Sequence, residues 1–155
     1  MHSDRSQSRW FTEDFGKRPP GIAAALEGKI CHALLVQAVW LRDELTEPAN
    51  VVFVQTAPAT WVRFYVDAGD LGWTIEPELR AIPPYETDSG DSMRYPITDL
   101  GTQWGLAGAR IERVTFEERQ PAPAGLLILT FSDGRRVALI NEADNSRLEQ
   151  LTATA

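Results

Sequence analysis

Two stretches of twenty residues, 75 positions apart, carry the same order of apolar and polar positions. VVFVQTAPATWVRFYVDAGD at 51–70 aligns without a gap with LLILTFSDGRRVALINEADN at 126–145. Val51, Val52, Phe53 and Val54 stand over Leu126, Leu127, Ile128 and Leu129, and Val62, Phe64 and Tyr65 over Val137, Leu139 and Ile140. Between the apolar runs lie Ala57-Pro58-Ala59 and Ser132-Asp133-Gly134, both turn-forming, and Asp-Gly is a strong hairpin signal. Each copy therefore predicts a β-hairpin. Upstream, Leu26-Glu27-Gly28-Lys29-Ile30 resembles Leu106-Ala107-Gly108-Ala109-Arg110-Ile111 at a shift of about 80, and each opens a further apolar segment. A repeat of this kind predicts one supersecondary unit used twice, here a three-stranded meander.

Arg110 to Glu118 alternates as a strand with one wet face, whereas Ile30 to Leu41 is apolar on nearly every side and fits a buried helix or a buried strand. The repeat favours strand. Leu45 to Asn50 and Gln120 to Gly125, with Pro48, Pro121 and Pro123, are expected to be loops. Leu71, Trp73 and Ile75 alternate and fit a fourth strand packed on the core, with Asp70, Thr74 and Glu76 outward. Asp144, Asn145 or Ser146 can cap a short helix running to Leu151, because Leu148 and Leu151 have helical spacing. Tyr95 to Leu100 predicts a turn or short helix. Residues 1–20 lack periodicity and end in Pro19-Pro20, so they are expected to form a disordered or loosely docked arm. The expected fold is α+β and mainly β. A single domain, 21–155, contains two antiparallel meander units, about 22–70 and 104–151, joined by a connecting segment, 67–100.

Length adds that 155 residues can bury one ordinary core without a disulfide or metal staple. The only cysteine, Cys31, lies in an apolar run and favours a reducing compartment. No charged region followed by an apolar one opens the chain, and no apolar stretch approaches the ~20 residues that span a bilayer. The expected location is cytoplasmic. Charge is distributed unevenly. The formal net charge is −7, and residues 67–91 hold −6 of it: Asp67, Asp70, Glu76, Glu78, Glu86, Asp88 and Asp91 against Arg80 alone. Nucleic-acid binding, which needs many Lys and Arg on phosphates, is disfavoured.

Candidate chemistry is sparse. Cys31 and His32 are neighbours in sequence, so their side chains diverge in a strand and in a helix, and neither is assigned a catalytic role. Glu86-Thr87-Asp88-Ser89-Gly90-Asp91 offers oxygen ligands but not the spacing of a calcium loop, and a solvated turn is expected instead of a metal site. Gly101, Gly105 and Gly108 lack the phosphate-loop pattern, and no cofactor is implied. Arg135-Arg136 reads as part of a mixed solvated face.

The acidic segment remains. It interrupts the likeness between the copies, and Trp73 stands inside it among carboxylates, a composition suited to binding a basic protein. The sequence thus points to a non-catalytic interaction module whose partner-binding residues are Asp67, Asp70, Trp73, Glu76, Glu78, Glu86, Asp88 and Asp91. In size and acidity it parallels small bacterial immunity-type inhibitors. The alternative is a ligand-binding or enzymatic pocket between the repeats, lined by Trp61, Tyr65, Trp73 and Trp104 with one or two carboxylates. A homodimer joined through sheet edges is a third possibility.

Overall fold

The structure, a computed structural model, describes residues 9–10, 20–67, 70–119, 124–142 and 145–151. In chain order the elements are β1 (Arg9–Trp10), α1 (Pro20–Leu26), β2 (Ala33–Leu41), β3 (Glu44–Ala57), β4 (Thr60–Asp67) and β5 (Asp70–Glu76). β6 (Tyr85–Glu86), β7 (Ser92–Arg94), β8 (Ile97–Asp99) and α2 (Leu100–Gln103) follow. The chain then continues through β9 (Ile111–Arg119), β10 (Ala124–Phe131), β11 (Arg136–Glu142) and β12 (Asn145–Leu151). The protein is mainly β, with two antiparallel sheets and short helices.

One sheet has the order β1-β5-β4-β3-β2-β7-β6, with β8 also on β2, and the other the order β12-β11-β10-β9. The ambiguous run after Ile30 is a strand, since β2 pairs with β3 from Ala33↔Gln55 to Leu41↔Glu44. Leu45 to Asn50 is not a loop. It is the first part of β3, and Pro48 is tolerated because it falls at the register shift between Gln37↔Val51 and Val39↔Glu47. Residues 145–151 are not helical either: β12 pairs with β11 from Glu142↔Asn145 to Arg136↔Leu151, and those ladder bonds override the helical spacing of two leucines. The expected arm, apart from the pairing of Arg9–Trp10 with Trp73 and Gly72, and residues 120–123 of the expected loop lie outside the described residues, whereas Ala124 and Gly125 of that loop are strand, paired with Glu142 and Asn141.

Each meander has four strands, not three, and their registers coincide under the sequence shifts. Val51↔Tyr65 and Trp61↔Glu76 become Leu126↔Ile140 and Arg136↔Leu151 on adding 75 to every number. Val36↔Val52 becomes Leu127↔Phe116 when β2 is shifted by 80 and β3 by 75. β5 is therefore the counterpart of β12, and the likeness runs through Glu76, beyond the point where the charge pattern suggests a break. Before the meanders, a shift of 80 takes Ile30 to Arg110, and these two residues bridge each other. The flanking bonds exchange roles: Gly28 N–H donates to Ile111 O (2.8 Å) and Gly108 N–H to Cys31 O (2.7 Å). Gly28 and Gly108 have φ of 78° and 92°, a left-handed conformation that glycine adopts without a Cβ penalty.

The sheets pack face to face. Leu34, Val36, Val52, Val54, Val62, Phe64 and Trp73 meet Val114, Phe116, Leu127, Leu129, Val137 and Leu139 in one buried cluster. The helices cross over: α1, which precedes the first meander, packs on β9 of the second, while α2, which precedes the second, packs on β2 of the first. Glycine also lets each helix come close to the first sheet, at β5 and at β2. A Cβ on Gly21 would lie 3.0 Å from the Trp73 ring, and one on Gly101 would lie 2.9 Å from Leu34 N.

Candidate functional site

Residues 77–99 follow the first meander and lie outside the part of it that the second meander matches. Pro77, Pro83 and Pro84 keep the first limb from coiling into a helix. It starts where β5 ends and reaches β2, crossing three strand spacings of the first sheet, roughly 14 Å. There Gln37, 1% exposed, takes hold of it: Nε2 donates to Ile82 O (3.0 Å), and Oε1 accepts from Ile82 N (3.1 Å). The same Nε2 donates to Tyr95 O (2.9 Å) on the returning limb. That limb is sewn to β2 through Trp40↔Arg94 and Leu41↔Met93, by Arg42 N–H on Ser92 O (2.8 Å) and by Ala38 N–H on Pro96 O (3.0 Å).

Between the limbs, residues 87–91 close a tight turn. Thr87 N–H donates to Asp91 O and Gly90 N–H to Thr87 O, both at 2.8 Å, with Gly90 at φ 85°. Asp91 accepts from Arg42 Nε at 2.7 Å, and that hydrogen bond holds its carboxyl below the usual carboxylate range. The expected solvated turn is what the chain forms. Among the described residues no group of three or more His, Cys, Asp or Glu could hold a metal ion.

The sequence-predicted site residues do not form one patch. Trp73 is 3% exposed and packs in the inter-sheet core, as the alternating fourth-strand reading has it, so its indole is not at the surface. Asp67 and Asp70 face each other across the β4–β5 hairpin, at the opposite end of β5 from Glu76. Glu76 lies 3.5 Å from Arg80 Nε, and Asp91 is paired with Arg42. Glu78, Glu86 and Asp88 are exposed and have no ion-pair partner among the described residues.

Other side chains take the place Trp73 was expected to fill. Leu79 (36% exposed), Tyr85 (52%) and Ile97 (39%) lie on the 77–99 insert. Leu45 (44%) is joined to the same flank, since it pairs with Trp40, which pairs with Arg94. Tyr85 stacks on Tyr95 with ring centroids 6.0 Å apart and planes 22° from parallel. Sequence reasoning passed over Gln37, although one amide in the run ALLVQAVWL is a signal, because a buried polar group needs partners.

Burial first, then the hydrogen bond with Tyr85, pushes the Tyr95 hydroxyl up to about 12. An unfolded tyrosine ionises near 10. The native state therefore favours neutral Tyr95, and its contribution to stability is complete below pH 10 and lost as pH rises towards 12. In an absorbance titration at 295 nm, wild type is expected to show a late phenolate step near pH 12 that Tyr95→Phe lacks. Disappearance of no step in the variant would contradict this environment.

Cys31 and His32 do not form a nucleophile and base pair. Cys31 is fully buried, and burial, with Asp99 adding to it, pushes its thiol up to about 11, away from a nucleophilic thiolate. His32 is exposed. Among the described residues, a void of about 10 Å³ lies between the sheets, lined by aliphatic side chains and Phe64, at the lower limit for one water. The four aromatic residues expected to line a pocket do not converge there. Trp73 points into the core and Trp104 packs against it beside α2, while Trp61 and Tyr65 alternate with the buried Val62 and Phe64 and so lie on the other face of the sheet. No helix among the described residues is long and apolar enough to cross a membrane. Compared with protein-family models, with curated proteins and with solved structures, the chain matches none.

Proposed function

We propose that the protein is a non-catalytic interaction module that binds a basic protein partner through the 77–99 insert. The single observation behind this reading is the coincidence of two surface properties in one segment. The exposed large apolar residues Leu79, Tyr85 and Ile97 and the exposed carboxylates Glu78, Glu86 and Asp88, which no ion pair among the described residues offsets, all fall within residues 77–99. Exposed apolar groups rimmed by one sign of charge are a usual composition of protein-binding surfaces, with tyrosine a frequent anchor. Tyr85 takes the anchoring role in place of Trp73. The rim charges would speed association and make it weaken with salt. Asp67 and Asp70 belong to a separate acidic corner and contribute at most long-range attraction. A small cytoplasmic inhibitor that neutralises a positively charged effector, as bacterial immunity-type proteins do, fits this surface and the single unpaired cysteine.

The full chain would be used as bait at graded salt, the captured protein identified, and its affinity measured with both components purified. The triple variant Glu78→Gln/Glu86→Gln/Asp88→Asn is expected to bind about tenfold more weakly at low salt, about 0.5 kcal/mol per rim charge, with a shallower salt dependence. Asp67→Asn/Asp70→Asn is expected to change affinity less. Binding that ignores both ionic strength and the triple substitution would sink the proposal.

A further inference from the structure

We infer that Gln37 is the positioning residue of this surface: its buried amide closes residues 82–95 into an Ω-loop and holds the limb that carries Glu78 and Leu79. The inference rests on the interaction reading for its functional meaning, while the clamp itself stands on geometry. Ile82 and Tyr95 mark the neck of a fourteen-residue loop, within the size range of compact surface loops whose ends meet and whose side chains pack on themselves. Tyr85 on Tyr95 and Thr87 with Ser89 and Asp91 supply that internal packing.

The two limbs are held unequally. The returning limb shares ladder bonds with β2 at two places, through β7 and β8. The outgoing limb, 77–84, makes its described hydrogen bonds to the sheet through Gln37 alone, and Arg80 pairs only with its neighbour Glu76. Three hydrogen bonds on one side chain, spanning 45 and 58 residues of sequence, therefore fix a segment that has no strand partner of its own until Tyr85. The amide must be Gln-like, because it donates to two carbonyls and accepts from one N–H within one strand spacing. A carboxylate cannot donate, and an apolar side chain offers neither function. Pre-ordering this limb removes part of the ordering cost when a partner binds.

The test is hydrogen exchange on the full-length chain, with Gln37→Met as an isosteric apolar replacement. Ile82→Pro removes the bonded N–H from the exposed limb and leaves the sheet untouched, so it serves if the first variant does not fold. Exchange in 78–86 is expected to quicken at least tenfold, while β3, β10 and β11 change less than twofold. Unchanged protection of the limb, or equal acceleration everywhere, would overturn the clamp. A lysine-rich 20-residue peptide serves as the basic probe at low salt, and both variants should bind it at least fivefold more weakly, although no charge has changed. Equal binding by wild type and variants would remove the positioning role. A wild type that binds no basic peptide would end the interaction reading and leave the exchange result to decide the clamp.

Discussion

Replacing Phe64 by alanine is expected to cost about 3–5 kcal/mol of folding free energy, the range for deleting a buried aromatic side chain. Phe64 is 1% exposed and sits on β4 in the layer shared by both sheets, beside Val52 and opposite Leu127 and Leu139. The void there already lacks room for a ligand, and the flanking β-branched residues have little rotamer freedom with which to close the larger gap. Domains of this size have total stabilities of only about 5–15 kcal/mol, so the variant should sit close to its unfolding threshold. Because both meanders share the core, denaturant unfolding should remain a single transition with an unchanged m-value and a lower midpoint. A loss below about 1 kcal/mol, or an unfolding curve that splits in two, would show that the sheets do not depend on each other through this layer.

A larger effect is expected from separating the copies. Residues 20–99 and 100–155, expressed apart, should each fail to give a dispersed amide spectrum, although each contains a complete four-stranded meander. Alone, each sheet would expose its whole inner face to water. The helices make the dependence reciprocal, because α1 belongs in sequence to the first half and packs on β9, and α2 belongs to the second and packs on β2. The close approach of Gly101 to Leu34 and the bridge Ile30↔Arg110 form only when both halves are present. Mixing the halves should restore dispersion to the extent that they associate. A well-dispersed spectrum from either half by itself would mean that the copies are independent units.

Local pattern carried a good part of this. The hairpins at 51–65 and 126–140 were legible because their apolar runs flank turns of recognisable chemistry, and the shifts of 75 and 80 extend to the pairing registers. The same local logic failed at 145–151, where Leu148 and Leu151 satisfy a helical period but the backbone bonds of β11 decide for strand. It failed again at 45–50, where Pro48 reads as loop and a register shift lets the strand pass through it. The acidic segment was legible as a break in symmetry, but its charges were not a surface in waiting. β5 belongs to the meander, Asp67 and Asp70 stand at its far end, and the insert proper starts at Pro77.

The mainly β class, the likeness between the two hairpin stretches, and where the excess negative charge falls along the chain were all legible in residues a few positions apart. Only the tertiary structure decided that Trp73 is core and Tyr85 surface, that the helices exchange sheets, and that Gln37 holds Ile82 and Tyr95. Those outcomes join residues from 45 to more than 50 positions apart. No local period encodes them; they follow from which faces remain to be buried, and which polar groups remain to be paired, once both sheets have closed on one core.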